Sequence, residues 1–104
     1  SEKYYTEFIK KFSKDPVLGF NAYNNLGSVY EEKGDFKAAA KTYETYTQKF
    51  KDSTFNPTML LNSGKAHLLA GEKDLARIAF QKINDSYRDS NEKLEALSYL
   101  EMMK

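Results

Sequence analysis

Gly27 and Gly64 lie 37 residues apart, and so do Gly34 and Gly71. The same shift sets Tyr23 on Leu60, Asn25 on Asn62, Ala39 on Ala76, Tyr43 on Phe80, Tyr46 on Ile83, Phe50 on Tyr87 and Asp52-Ser53 on Asp89-Ser90. A unit this short buries too little apolar surface to be stable alone, so a chain made of such units folds by stacking them into a continuous core. With 104 residues there is room for two whole units and little more. A further copy opens where Leu97, Leu100 and Glu101 take the places of Leu60, Ser63 and Gly64, and it runs for one helix. At the other end Tyr5, Phe8 and Phe12 match Tyr43, Tyr46 and Phe50 at a shift of 38.

Inside each unit the apolar period is helical. Tyr5, Phe8, Ile9 and Phe12 fall at i, i+3, i+4 and i+7, and Ala39, Tyr43, Tyr46 and Phe50 follow with small slips, while nothing alternates with period 2. Asp15-Pro16 reads as an N-cap followed by proline at the first helical position, and Asn56-Pro57 reads as the same device. Gly34 and Gly71 each end an apolar run and precede an acidic residue, Asp35 and Glu72, that can open the next helix. Six helices are predicted, over roughly 2 to 14, 16 to 33, 36 to 51, 57 to 70, 73 to 88 and 91 to 104. They divide one domain, 1–104, into a second helix of a truncated repeat (1–15), a first repeat (16–53), a second repeat (54–90) and a C-terminal capping helix (91–104). The chain starts Ser1-Glu2-Lys3 directly in an amphipathic pattern, with no signal peptide, so it is expected to continue a longer protein, and Lys104 is expected to close the array.

Mid-helix glycine costs about 1 kcal/mol relative to alanine, so Gly27 and Gly64 need a compensating close approach. The expected neighbours are Ala39 and Ala76 on the paired helix, with Tyr43 and Phe80 one turn on filling the space between repeats.

These residues resemble the tetratricopeptide repeat family, whose pattern here reads Tyr23, Leu26-Gly27, Tyr30, Gly34, Ala39, Tyr43 and Tyr46, then Leu60, Ser63-Gly64, His67, Gly71, Ala76, Phe80 and Ile83. The sequence departs from that pattern at Ser63, His67 and Glu101, and at the usual terminal proline, where Lys51 and Arg88 stand. The resemblance implies an all-α, right-handed helical-hairpin solenoid of about six antiparallel helices that binds another protein. The period and the Asp-Ser after each second helix are similar to bacterial envelope members, including Tol-Pal-associated and barrel-assembly proteins, which implies a periplasmic or envelope location.

Other function classes lose support from the residues themselves. No cysteine is present, which removes a disulfide scaffold, a thiol nucleophile and a thiolate zinc site. His67 is the only histidine and occupies the repeat's inward tyrosine position, so it reads as a packed side chain rather than part of a catalytic or metal constellation. Glu31-Glu32 and the pair Glu92 and Glu95 read as solvated helix positions paired with lysine. No strand feeds a glycine-rich loop, so no nucleotide cofactor is expected. The charge balance, 16 Lys+Arg against 15 Asp+Glu, argues against a nucleic-acid partner. Lys10, Lys11 and Lys14 beside Tyr4, Tyr5 and Phe12 read as the solvated edge of a helix whose aromatics are at core spacing. No run approaches the 18 apolar residues of a membrane span. The expectation is a non-catalytic module without metal or cofactor.

In the resembled family the first helix of each pair lines a concave groove. Carrying those positions over gives Asn21, Asn24, Asn25, Ser28 and Glu31, then Leu61, Asn62, Lys65, Leu68 and Leu69, then Glu95, Ser98, Tyr99 and Met102. Asparagine is a poor helix former, and its recurrence here has no propensity reason, whereas its amide offers donor and acceptor to a peptide backbone. Leu61, Leu68 and Leu69 are expected to form an exposed apolar strip beside the amides, with Asn25, Asn62 and Tyr99 in one row. The subclass that clamps an acidic chaperone tail is set aside, since its places hold Asn24, Ser28, Asn62, Glu95 and Tyr99, and only Asn62 fits. A second surface is expected at the first helix. It lacks a partner helix, which leaves part of Tyr4, Tyr5, Phe8, Ile9 and Phe12 uncovered and favours a homodimer there.

Overall fold

A computed structural model describes all 104 residues as six α-helices and no strand. They are α1 (Glu2–Lys11), α2 (Pro16–Glu32), α3 (Phe36–Lys49), α4 (Asn56–Leu69), α5 (Lys73–Ser86) and α6 (Lys93–Met102). Each packs on the next in the chain, giving an extended helical-hairpin solenoid of 41 × 29 × 17 Å. No helix is long and apolar enough to cross a membrane.

Local chemistry fixes the turns. The Asp15 carboxylate accepts from the Val17 and Leu18 amides at 2.9 and 3.0 Å, and Pro16 starts α2 without wasting a donor. At the α2–α3 turn Gly34 adopts φ 78°, and at the α4–α5 turn Gly71 adopts φ 79°, a left-handed conformation that a β-carbon disfavours. It lets the Asp35 and Glu72 amides reach back to the Tyr30 and His67 carbonyls at 2.9 and 2.8 Å, satisfying helix-end acceptors.

Asn56 differs from its expected role. It lies inside α4, with Phe55 at the N-cap position, and its side-chain amide donates to the carbonyls of Phe50 at 2.8 Å and Lys51 at 3.2 Å. Asn56 therefore closes the end of α3 rather than opening α4, because those last carbonyls have no intrahelical donor. Helices α1, α3 and α5 also stop two or three residues before their predicted ends. Phe12, Phe50 and Tyr87 leave helical geometry (φ −112°, −114° and −132°). In that conformation Phe50 packs against the first core cluster and Tyr87 against the second.

Two clusters form the core. The first gathers Tyr23, Ala39, Ala40, Tyr43, Tyr46, Met59 and Ala66, and the second Leu60, Leu61, Ala76, Phe80, Ile83 and Ala96. Tyr46 is wholly buried, donates to the Pro16 carbonyl at 2.6 Å and shares a 2.7 Å hydrogen bond with the Ser53 hydroxyl, so one ring fastens α3 to the start of α2 and to the loop before α4. The glycines work differently from the expectation. A β-carbon on Gly27 would lie 2.1 Å from the Tyr43 ring, and one on Gly64 2.5 Å from the Phe80 ring. The closest approach is thus to the aromatic ring of the paired helix, and the glycine and the ring act as one fitted pair.

Candidate functional site

Two bridges join the helices α2, α4 and α6, whose side chains are expected to line a groove. Asn62 donates to Asn24 at 3.0 Å between α4 and α2, and Lys65 pairs with Glu95 at 2.8 Å between α4 and α6. The hydrogen bond it donates to the Glu95 carboxylate holds the Lys65 ammonium above its ordinary pKa. Glu31 accepts from the Tyr43 hydroxyl at 2.8 Å; burial first, and then this carboxylate, push the phenol's pKa well up. Asn21 and Asn25 are exposed, and Ser28 is half-buried.

Several groove assignments change. Leu61 is buried at 7 % exposure in the second core cluster, and Leu68 is half-buried against the same cluster, so neither forms an apolar strip. Only Leu69 stands in solvent, at 65 %. Where α3, α4 and α5 crowd together, α4 must bury residues over most of its circumference, which draws Leu61 inward. Tyr99 stacks on Phe80 with centroids 4.7 Å apart and planes 2° from parallel, so its ring serves the core. The row Asn25–Asn62–Tyr99 is also offset, since the amide that Asn62 meets belongs to Asn24. Stacked repeats generally turn by a small angle from one to the next, which sets adjoining rather than equivalent positions against each other.

The edge helix α1 has no buried residue. Tyr4 is 58 % exposed, while Tyr5, Phe8, Ile9 and Phe12 are half-buried, with Ile9 turned onto the first core cluster. Tyr4, Tyr5 and Phe8 meet Asn21, Ala22 and Asn25 in a cleft of about 240 Å³. The two residue sets singled out in the sequence, one amide and one aromatic, thus adjoin. That juxtaposition was hidden from sequence reasoning because it depends on how α1 crosses α2.

A second polar cleft, about 370 Å³, is lined by Lys37, Lys41, Glu44, Thr45, Gln48, His67 and Glu72. His67 is 5 % exposed, as its inward position implied. Its Nδ1 lies 3.0 Å from Glu72 and its Nε2 3.0 Å from Glu44. A neutral imidazole would aim one lone pair at a carboxylate, whereas the imidazolium donates to both. Burial works to lower the His67 pKa, but the hydrogen bonds to Glu44 and Glu72 together outweigh it and raise the value above the ordinary 6.5. Because the folded pKa is raised, the stabilisation is present in full below about pH 6.5 and is lost as pH rises through the folded value. Thermal unfolding is therefore expected at higher temperature at pH 6 than at pH 8.5, and His67→Gln should flatten that difference. An equal pH response in the variant would show that other groups carry it. The Glu72 carboxylate, turned to His67, gives α5 no side-chain cap. No group of three or more His, Asp or Glu side chains converges as a metal site.

The tetratricopeptide repeat family model matches residues 1–54 and, in a second register, residues 24–91. The two matches together run over residues 1–91 of the 104. No curated protein matches the chain in sequence.

Proposed function

Since the chain belongs to the tetratricopeptide repeat family, whose members generally serve as non-catalytic modules for protein–protein interaction, we propose that a partner segment lies across the surface made by α2, α4 and α6. The observation that carries this reading is the division of the amides: Asn24 and Asn62 are spent on each other, whereas Asn21 and Asn25, one helical turn apart, stand exposed on the same helix. Two asparagines there weaken α2 without stabilising its packing. Each amide can instead donate to and accept from the backbone of a bound segment.

Charge contributes little to this recognition. Lys65 is paired with Glu95, which leaves Glu31, accepting from the neutral Tyr43 hydroxyl, as a single net negative charge, too little for a strong field toward an acidic or basic tail. Binding should accordingly vary only weakly with salt. The test begins by capturing partners from the host and identifying them, then measures affinity for the purified partner. Asn21→Ala combined with Asn25→Ala should weaken binding about tenfold or more, consistent with losing hydrogen bonds of about 1 kcal/mol each. Asn84→Ala on α5 should leave it unchanged. Normal binding by the double variant would remove the amides from the interface.

A further inference from the structure

The α2–α3 and α4–α5 turns share one backbone. Asp35 and Glu72 hold the N-cap positions with φ −93° and −100° and ψ 75° and 68°, and their amides reach back to the Tyr30 and His67 carbonyls. Their side chains go different ways. Asp35 accepts from the Ala38 amide at 3.2 Å and caps α3, whereas Glu72 meets His67 Nδ1 at 3.0 Å and leaves α5 without a side-chain cap. The cause lies at the position facing the turn, where Tyr30 gives its hydroxyl to Glu2 and His67 presents an imidazole instead.

The buried ring is held from two units at once. Glu44 of α3 meets Nε2 at 3.0 Å, and Lys37 and Lys41 of the same helix line the cleft beside it. With both nitrogens protonated the ring donates to both carboxylates; after losing one proton it has a single donor, and one carboxylate faces a lone pair. The two acids differ in what else they can reach. Glu44 lies in the middle of α3, where the backbone amides are bonded within the helix, and only the exposed Lys37 and Lys41 bring positive charge near it. Glu72 stands beside the first turn of α5, whose amides have no intrahelical acceptor and form the positive end of that helix.

We propose that His67 and Glu72 form a proton-operated latch. The imidazolium clasps Glu44 and Glu72 together across α3, α4 and the start of α5; loss of its proton releases Glu72 to cap α5 at the Leu75 amide, while Glu44 keeps the remaining N–H. The first unit holds the released arrangement permanently, with Asp35 on Ala38, the residue equivalent to Leu75. Burial alone would put the exchange at low pH, but the two carboxylates outweigh it, so the latch opens above pH 6.5. The new cap offsets part of the stability lost with the proton. This device is built from α3, α4 and α5 and is independent of the amides proposed above.

The test is an NMR titration of the full chain between about pH 5 and 9, the range in which histidine changes charge, following the His67 ring and the backbone amides. The Leu75 amide proton should move downfield as pH rises, with the same midpoint as the ring, while the Ala38 amide, already capped, stays still. Glu72→Gln should lower the ring midpoint and remove the Leu75 step. Glu44→Gln should also remove that step although Glu72 is intact, because the new amide can donate to Nε2 of the neutral ring, which then keeps its Nδ1 proton for Glu72. His67→Gln should leave Leu75 unresponsive over the whole range. A Leu75 amide that stays still while the ring of the parent protein titrates would overturn the latch, whether Glu72 stays in place or turns to Lys37 or Lys41. So would a Leu75 step that survives in His67→Gln or is unaltered in Glu44→Gln.

Discussion

Phe80→Ala is expected to lower stability by about 3 to 5 kcal/mol, most of what a domain this size possesses. Phe80 is fully buried, fits into the space left by Gly64 on α4, and stacks on Tyr99 of α6 at 4.7 Å. Its removal therefore opens a cavity where three helices meet, and α4 cannot collapse into it without leaving α3. Denaturant unfolding monitored by helical circular dichroism measures the loss, and α6 should fray first because its packing rests on α5. A melting temperature unchanged from the parent would refute the register that pairs Phe80 with Gly64.

Gly27→Ala is expected to destabilise by about 1 to 3 kcal/mol, although helix propensity alone predicts a gain of about 1 kcal/mol. The two effects oppose each other, and geometry decides the sign. The new methyl group would stand 2.1 Å from the Tyr43 ring, far inside van der Waals contact. That ring cannot swing aside freely, since it is 2 % exposed and its hydroxyl is bonded to Glu31 at 2.8 Å. Urea midpoints measured for Gly27→Ala alone and together with Tyr43→Leu separate the causes. Partial recovery in the double variant supports overpacking, and a stabilised single variant would mean that the ring yields readily.

Much of the architecture was legible in the residues. The 37-residue shift gave the number and order of helices, because each unit must repeat the same burial pattern to stack on the next. Asp15-Pro16 located the start of α2, and Gly34 and Gly71 located the tight turns, since these are local conformational preferences that need no tertiary partner. Family membership followed from the same positions, and the inward place of His67 could be read from its register with Tyr30.

Only the tertiary structure decided how the surface is composed. Period alone could not say that Leu61 turns into the core, because α4 is flanked by helices on several sides and its burial exceeds one stripe. Nor could it say that Asn62 meets Asn24 rather than Asn25, or that Glu44 reaches His67 from the preceding unit, since those contacts depend on how the units stack. A repeated sequence determines which residues are equivalent. Which of them touch is set by the geometry of stacking, where a rotation of a fraction of a helical turn exchanges one neighbour for the next.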